Sequence, residues 1–240
     1  MLITANIRLI TMLRAIMKFL SHEYRVVMHL DTGNHPAGII LYGDVTTEVK
    51  GHTIFETGSS VVSKLDDGSI LKCLKVRNWS EYHKLFLGKH RAKEEVMSNF
   101  EMQRLGLAVP NILYYGIFSN IFSKRYFSSF YAMEEVPASF IPGNIIFEAL
   151  SPEARQCFLA RTIQDLHQLK SHQLVYSDLS LRNFHINESG ESIWIDTQIK
   201  KYSSASRFRK KFNHSLSRFC DEFSLDLTIE EEKKLKGLLV

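Results

Sequence analysis

The 240-residue sequence predicts an α+β chain in two parts, a β-rich first part carrying one helix and a shorter, mainly helical second part. Three observations predict it. Asp66-Asp67-Gly68 sits between two six-residue runs, 60–65 and 69–74, and supplies the Asp-Gly turn chemistry of an antiparallel hairpin. Ser151-Pro152-Glu153 opens an apolar-periodic stretch with a helix start, Ser as N-cap, Pro at the first helical position and an acid in the first turn. Between helical stretches of the second part lies Asp178-Leu179-Ser180-Leu181-Arg182-Asn183, followed by the apolar run Ser192-Ile193-Trp194-Ile195 and then Asp196.

In chain order, residues 1–20 carry Arg8, Arg14 and Lys18, no acid, and apolar residues on the opposite helical side, the pattern of a basic amphipathic helix lying in a membrane interface. The first part, 21–136, begins with short strands and turns over residues 22–76, with a Gly-Asn turn signal at residues 31–34. Residues 89–105 read as a helix whose apolar side is Val96, Phe100 and Leu105, stopped by Gly106. Residues 112–117 and 127–136 are aromatic, apolar runs expected to be strands. In the second part, 137–240, the helix from Ser151 is expected to reach about Leu169 and to bury Phe158, Leu159, Ile163 and Leu166. Phe184-His185-Ile186 and Ile193-Trp194-Ile195 form a short hairpin across Glu188-Ser189-Gly190, and Thr228-Ile229-Glu230-Glu231 is a capping box for a last helix.

Composition excludes several classes. With 45% hydrophobic and 23% charged residues the chain is globular, not disordered. Cys73, Cys157 and Cys220 are odd in number and lack C-x-x-C spacing, which argues against a disulfide framework or zinc site and for a reducing compartment. The ten histidines have no ligand spacing. No stretch approaches the roughly 18 uninterrupted apolar residues of a membrane span. The net charge of +4 is concentrated between Thr197 and Cys220, where Lys200, Lys201, Arg207, Arg209, Lys210, Lys211 and Arg218 occur with no acid. Such a stretch suits an anionic lipid or a phosphorylated substrate; nucleic acid is not expected, since neither a motif nor interleaved aromatics accompany it.

One carboxylate and one amide five positions apart on a loop, with a second carboxylate after an apolar run, is the set that phosphoryl transfer from ATP requires. Asp178 is expected to orient or deprotonate the attacking hydroxyl, and Asn183 and Asp196 to hold Mg²⁺ on the phosphates. Upstream, Lys72 on a strand and Glu95 in the helix 23 residues on suit the pair that fixes an ammonium on the phosphates, with Lys75 and Glu94 as rivals. Residues 131–136 suit the strand that runs into a hinge, where backbone groups of Glu134 and Val136 would read adenine and Met133 would lie behind it. Glu56-Thr57-Gly58-Ser59-Ser60 has one glycine where a phosphate loop usually has three; Gly58, Ser59 and Ser60 are still expected to offer donors to phosphate oxygens. The order of parts is that of a bilobal protein-kinase-like fold with a β-rich first lobe and a short helical second lobe.

Leu166-His167-Gln168-Leu169, residues 174–184 and Trp194-Ile195-Asp196, together with Arg91-Ala92-Lys93-Glu94-Glu95 and Gln103-Arg104-Leu105-Gly106-Leu107-Ala108-Val109-Pro110, resemble the Kdo/WaaP lipopolysaccharide kinase family, the Kdo and heptose kinases of the lipid A core. The likeness spans roughly residues 60–218. It implies ATP and Mg²⁺, phosphorylation of a sugar hydroxyl of the lipopolysaccharide core, and peripheral work at the cytoplasmic face of the inner membrane. Membrane contact would involve residues 1–20 and the basic stretch 200–218. Asp178, Asn183 and Asp196 inherit their roles by direct motif match, as do Lys72 and Glu95 by position. Two departures stand out: Tyr176 replaces the His that usually opens the catalytic loop, and Asp196-Thr197-Gln198 lacks the glycine of D-F-G. Only 44 residues follow Asp196, and none spell A-P-E, so a regulated protein kinase is not expected. A RIO-like serine/threonine kinase or an aminoglycoside-type phosphotransferase is the alternative, and a non-catalytic pseudokinase that binds a partner through its basic face the contrasting class.

Overall fold

The computed structural model describes residues 26–27, 38–42, 51–86, 89–119, 128–222 and 228–239; the amphipathic stretch 1–20 and the turn at 31–34 lie outside the described residues. The chain is mixed α+β with mainly antiparallel sheets. It divides into two compact units, Met1–Lys93 with Ile112–Glu134, and Glu94–Asn111 with Glu135–Val240.

The first unit is built on a seven-stranded sheet of β1 (Val26–Val27), β2 (Gly38–Tyr42), β3 (Gly51–Glu56), β4 (Ser60–Leu65), β5 (Ile70–Lys75), β6 (Ile112–Ser119) and β7 (Ser128–Met133). Their order is β1-β2-β6-β7-β5-β4-β3, with β2 and β6 the parallel pair. The β4–β5 hairpin forms at the expected place. Gly68 takes φ +84°, a conformation that costs a side chain, and Asp67 Oδ1 accepts from both N–H and Oγ of Ser69. Leu71, Phe130 and Ala132 are buried together on one sheet face. Ile70, Lys72 and Leu74 take the other, with Tyr131 and Ser129 directly opposite Lys72 and Leu74.

Two helices follow β5. The first, α1 (Trp79–Phe86), was not foreseen in the sequence. Its start is chemically marked all the same: Asn78 Oδ1 accepts from Glu81 N–H, and Glu81 accepts from Arg77 N–H and guanidinium. The second, α2 (Arg91–Arg104), matches the helix expected over 89–105, and Gly106 ends it at φ +80°. The division between the two units falls within this helix. Residues through Lys93 belong with the sheet, where Ala92 N–H donates to Ser129 Oγ at 3.2 Å, but from Glu94 onward the helix belongs to the second unit. Asn99 donates to the Pro110 carbonyl there, and Met102 and Leu107 join that unit's core.

That core gathers around Trp194. The strands β8 (Ile141–Pro142), β10 (Phe184–Ile186) and β11 (Ser192–Trp194) form a three-stranded sheet, flanked by α3 (Gly143–Ile146) and α4 (Pro152–Ser171). Helix α4 starts as expected, with Ser151 Oγ accepting from Ala154 N–H, and buries Phe158, Leu159, Leu166 and Leu169. Phe184 packs 4.1 Å from Trp194 by ring centres and 5.3 Å from Phe158. Each such burial is worth about 1.5–3 kcal/mol. The indole N–H of Trp194 donates to buried Asp165 at 2.9 Å. A second small sheet pairs β9 (Leu174–Tyr176) with β12 (Ile199–Lys201), so the basic stretch begins as a strand and continues in α5 (Ala205–Glu222). The Thr228–Glu231 capping box is present on α6 (Ile229–Lys236).

Among the described residues no helix is long and apolar enough to cross a membrane.

Candidate functional site

The loop that leaves β9 is held from below by alternate residues. Leu179 and Leu181 are buried in the aromatic core, which turns Asp178 and Arg182 outward. Residues 181–183 make one 3₁₀ turn, closed by Asn183 N–H to the Ser180 carbonyl. The spacing of five then has a direct consequence: the buried Asn183 side chain reaches back and donates to the Asp178 carbonyl at 2.7 Å and to its Oδ2 at 3.4 Å. With its nitrogen committed to Asp178, the amide offers Oδ1 to a cation.

Asp196 arrives at the same end from the next strand. In the β10–β11 ladder Phe184 pairs with Trp194, and Ile195 N–H donates to the Asn183 carbonyl at 3.0 Å, which brings Asp196 one residue past Asn183's partner. From the other side, the hydroxyl of buried Tyr176 donates to the Asp196 carbonyl, and Gln198 N–H donates there too. Ser177 N–H donates to the Gln198 carbonyl at 3.3 Å as the chain turns back along β9. Asn183 and Asp178 are therefore joined side chain to loop, and the backbone of Asp196 is fixed next to that of Asn183 through Ile195. Tyr176, in the place of the expected His, supports Asp196 through the backbone.

Glu95 lies in this unit as well. It is 2% exposed; its carboxylate accepts from the Gln198 side-chain amide at 2.7 Å, and its carbonyl accepts from Thr197 Oγ1. Gln198, where a glycine is usual, thus ties the segment after Asp196 to α2. Arg218 of α5 stands 3.8 Å from Asp178 Oδ1. Ser180 Oγ donates to Glu222, one turn further along that helix, and accepts from Arg182.

The sequence-predicted residues of the first unit separate into two groups. Lys72 and Lys75 fall on opposite faces of β5, as a regular strand demands. The Lys72 ammonium lies over the Tyr131 ring at 5.7 Å, on the sheet face that receives Ala92 of α2. Lys75 is tied to Glu56 at 2.6 Å and to the Thr57 carbonyl. At the β3–β4 turn, Thr57 Oγ1 accepts from the N–H groups of Ser59 and Ser60 at 3.2 and 3.0 Å. Those two backbone donors are engaged within the turn, so the expectation that they would face a phosphate is not supported by this geometry. Gly58 is open, with nothing near its would-be Cβ. Strand β7 ends at Met133, and Glu134 and Val136 follow without regular structure, at the boundary between units.

An amide and a carboxylate, both oxygen donors, suit a hard divalent cation such as Mg²⁺, which keeps several waters and needs few protein ligands. Among the described residues no group of three or more His, Cys, Asp or Glu side chains gathers to hold a metal. Tyr176, Gln198 and Arg218 are the site residues that sequence reasoning missed as such.

No protein-family model matches the chain, and no curated protein matches it.

Proposed function

We propose that this chain is a bilobal, protein-kinase-like phosphotransferase that moves the γ-phosphate of ATP to a sugar hydroxyl of the lipopolysaccharide inner core, on Kdo or heptose, at the cytoplasmic face of the inner membrane. The observation that supports the reading is the Asn183–Asp178 hydrogen bond, with the Asp196 carbonyl bound by Tyr176 and the preceding Ile195 N–H bound to the Asn183 carbonyl. The choice of a core sugar rests on the sequence resemblance.

In this reading Asp178, exposed on its loop, accepts the proton of the acceptor hydroxyl. The sugar oxygen then forms a bond to the γ-phosphorus, the bond from that phosphorus to the β–γ bridging oxygen breaks, and ADP leaves with the electron pair. Asn183 fixes the aspartate by its hydrogen bond and, with Asp196, would hold the metal. Mg²⁺, when bound, neutralises charge on the phosphates. Lys72 is assigned to the α- and β-phosphates in preference to Lys75, whose ammonium is already bound to Glu56. Glu95 is assigned the support of this apparatus through Gln198 and Thr197. Positioning and electrostatic stabilisation are the largest contributions such an enzyme makes.

The test is transfer of labelled phosphate from ATP to purified core oligosaccharide, run beside protein extract and aminoglycosides. Label in the oligosaccharide, lost in Asp178→Asn with an unchanged circular dichroism spectrum, is the expected result. Full transfer by Asp178→Asn would refute the assignment, and label in protein or aminoglycoside alone would move the acceptor to those classes.

A further inference from the structure

Helix α5 buries Phe208, Phe212, Leu216 and Phe219 and turns its basic residues outward. Arg207, Lys211, His214 and Arg218 follow at steps of four, three and four, so on a helix of 3.6 residues per turn they form one exposed stripe, with Lys210 at its margin. At 1.5 Å per residue the stripe runs about 16 Å. Among the described residues no acidic side chain pairs with Arg207, Lys210 or Lys211. The stripe ends at the catalytic loop: Arg218 stands 3.8 Å from Asp178, each side chain more than half exposed, and Ser180 of that loop is bound to Glu222. An ion pair so exposed is weak and easily exchanged for a better anion.

We propose that this stripe is the acceptor track. Arg218 binds a phosphate or carboxylate beside the hydroxyl that Asp178 addresses, and Lys211 and Arg207 bind further anionic groups on the same molecule. The acceptor is therefore an oligosaccharide bearing several negative charges along its length; a neutral sugar leaves the stripe unused and a polycationic aminoglycoside is repelled by it. This rests on the phosphotransferase reading above and narrows its substrate. Single-stranded RNA is disfavoured because the helix's three phenylalanines are all buried, leaving only the His214 ring on the stripe where RNA readers array several aromatic side chains. A lipid surface is disfavoured because no large apolar side chain stands among the exposed cations.

The experiment compares phosphorylated core oligosaccharide, the same material dephosphorylated by hydrogen fluoride, and a neutral maltooligosaccharide. Transfer gives KM, and titration without nucleotide gives Kd. The protein prefers the phosphorylated form, and Arg207→Gln/Lys211→Gln raises its KM and Kd about tenfold and flattens their salt dependence. Arg218→Gln abolishes the preference. Arg209→Gln, off the stripe, leaves both constants as they were. Equal use of charged and neutral oligosaccharides overturns the track while leaving phosphoryl transfer standing. Stripe-dependent binding with no transfer to any of the three supports the track as an anion site and overturns the phosphotransferase reading. Loss of binding confined to RNA or phosphatidylglycerol vesicles, with oligosaccharide binding unchanged, overturns the track.

Discussion

Trp194 and Asp165 make a buried pair on which the position of Asp196 depends, and a double-mutant cycle measures it. Trp194 has no exposed surface and Asp165 has 2%. The indole N–H donates to the carboxylate at 2.9 Å, and Arg161 approaches the other oxygen at 3.1 Å. Trp194→Phe keeps a ring in place but leaves the carboxylate with one donor fewer. Loss of a hydrogen bond to a charged acceptor, with the space left behind, costs about 2–4 kcal/mol. Asp165→Ala strands the buried N–H, at about 1–3 kcal/mol. The double variant loses the bond once and strands neither partner, so it should be about 1–2 kcal/mol less destabilised than the sum. Urea unfolding followed by circular dichroism reads all four corners. Additivity within about 0.5 kcal/mol would show that the two side chains are neighbours without being partners. A pH series adds a second arm. Burial holds the Asp165 carboxyl above its ordinary value, against the opposing pulls of Trp194 and Arg161. A raised folded-state value gives stability that is present below the unfolded value near 3.8 and lost as pH rises through the folded one. Asp165→Asn removes that component.

Gly190→Ala and Gly68→Ala separate strain from collision: both glycines have φ +84°, but a Cβ at Gly190 would lie 2.0 Å from the Ala154 carbonyl oxygen and one at Gly68 meets nothing. Urea midpoints should show a loss of about 1 kcal/mol at Gly68 and more than about 3 kcal/mol at Gly190, and equal losses would contradict the packing described. Burial, aided by the Lys93 charge, pushes His90 down to about 4, and its Nδ1 accepts from Lys93 N–H. A depressed base binds its proton more readily when unfolded, so stability should fall between about pH 6.5 and 4 by about 2 kcal/mol after discounting partial exposure, a slope absent in His90→Asn. Tyr176→Phe removes the hydroxyl that supports the Asp196 carbonyl; it should cost about 1 kcal/mol in a urea titration and weaken Mg²⁺-dependent nucleotide binding more than metal-free binding. Lys72→Met should weaken ATP binding at least tenfold in calorimetry and Lys75→Met should not, about 1.4 kcal/mol separating them.

Local chemistry made much of the fold legible. The Asp67-Gly68 turn, the Ser151 cap, the hairpin ending at Trp194 and the Thr228 box each state their geometry within a few residues, and each forms where expected. The meeting of Asp178 with Asn183 was legible for the same reason, a fixed spacing on one loop. What escaped acts across long stretches of chain. Gln198 reads as an ordinary polar residue until Glu95, 103 positions away, is placed beside it. Strand β12 was hidden because Lys200 and Lys201 look like part of a charge run; its pairing with β9 is a tertiary fact. The division of α2 was likewise invisible, since its hydrophobic pattern gives a helix's inner face but not which neighbours cover which turn. Helix α1 is the exception, a local signal at Asn78 and Glu81 that went unused because eight residues carry so little periodicity.

The chain after Asp196 is stitched down on both margins, to β9 through a backbone ladder extended by Ser177 and Tyr202, and to α2 through Thr197, Gln198 and Ser98. Swinging it outward means breaking several hydrogen bonds at about 1 kcal/mol net apiece, with no slack to absorb the motion. Asp196 is a fixed post, not a hinged arm. In a chain built this way the backbone that carries that carboxylate holds a single position.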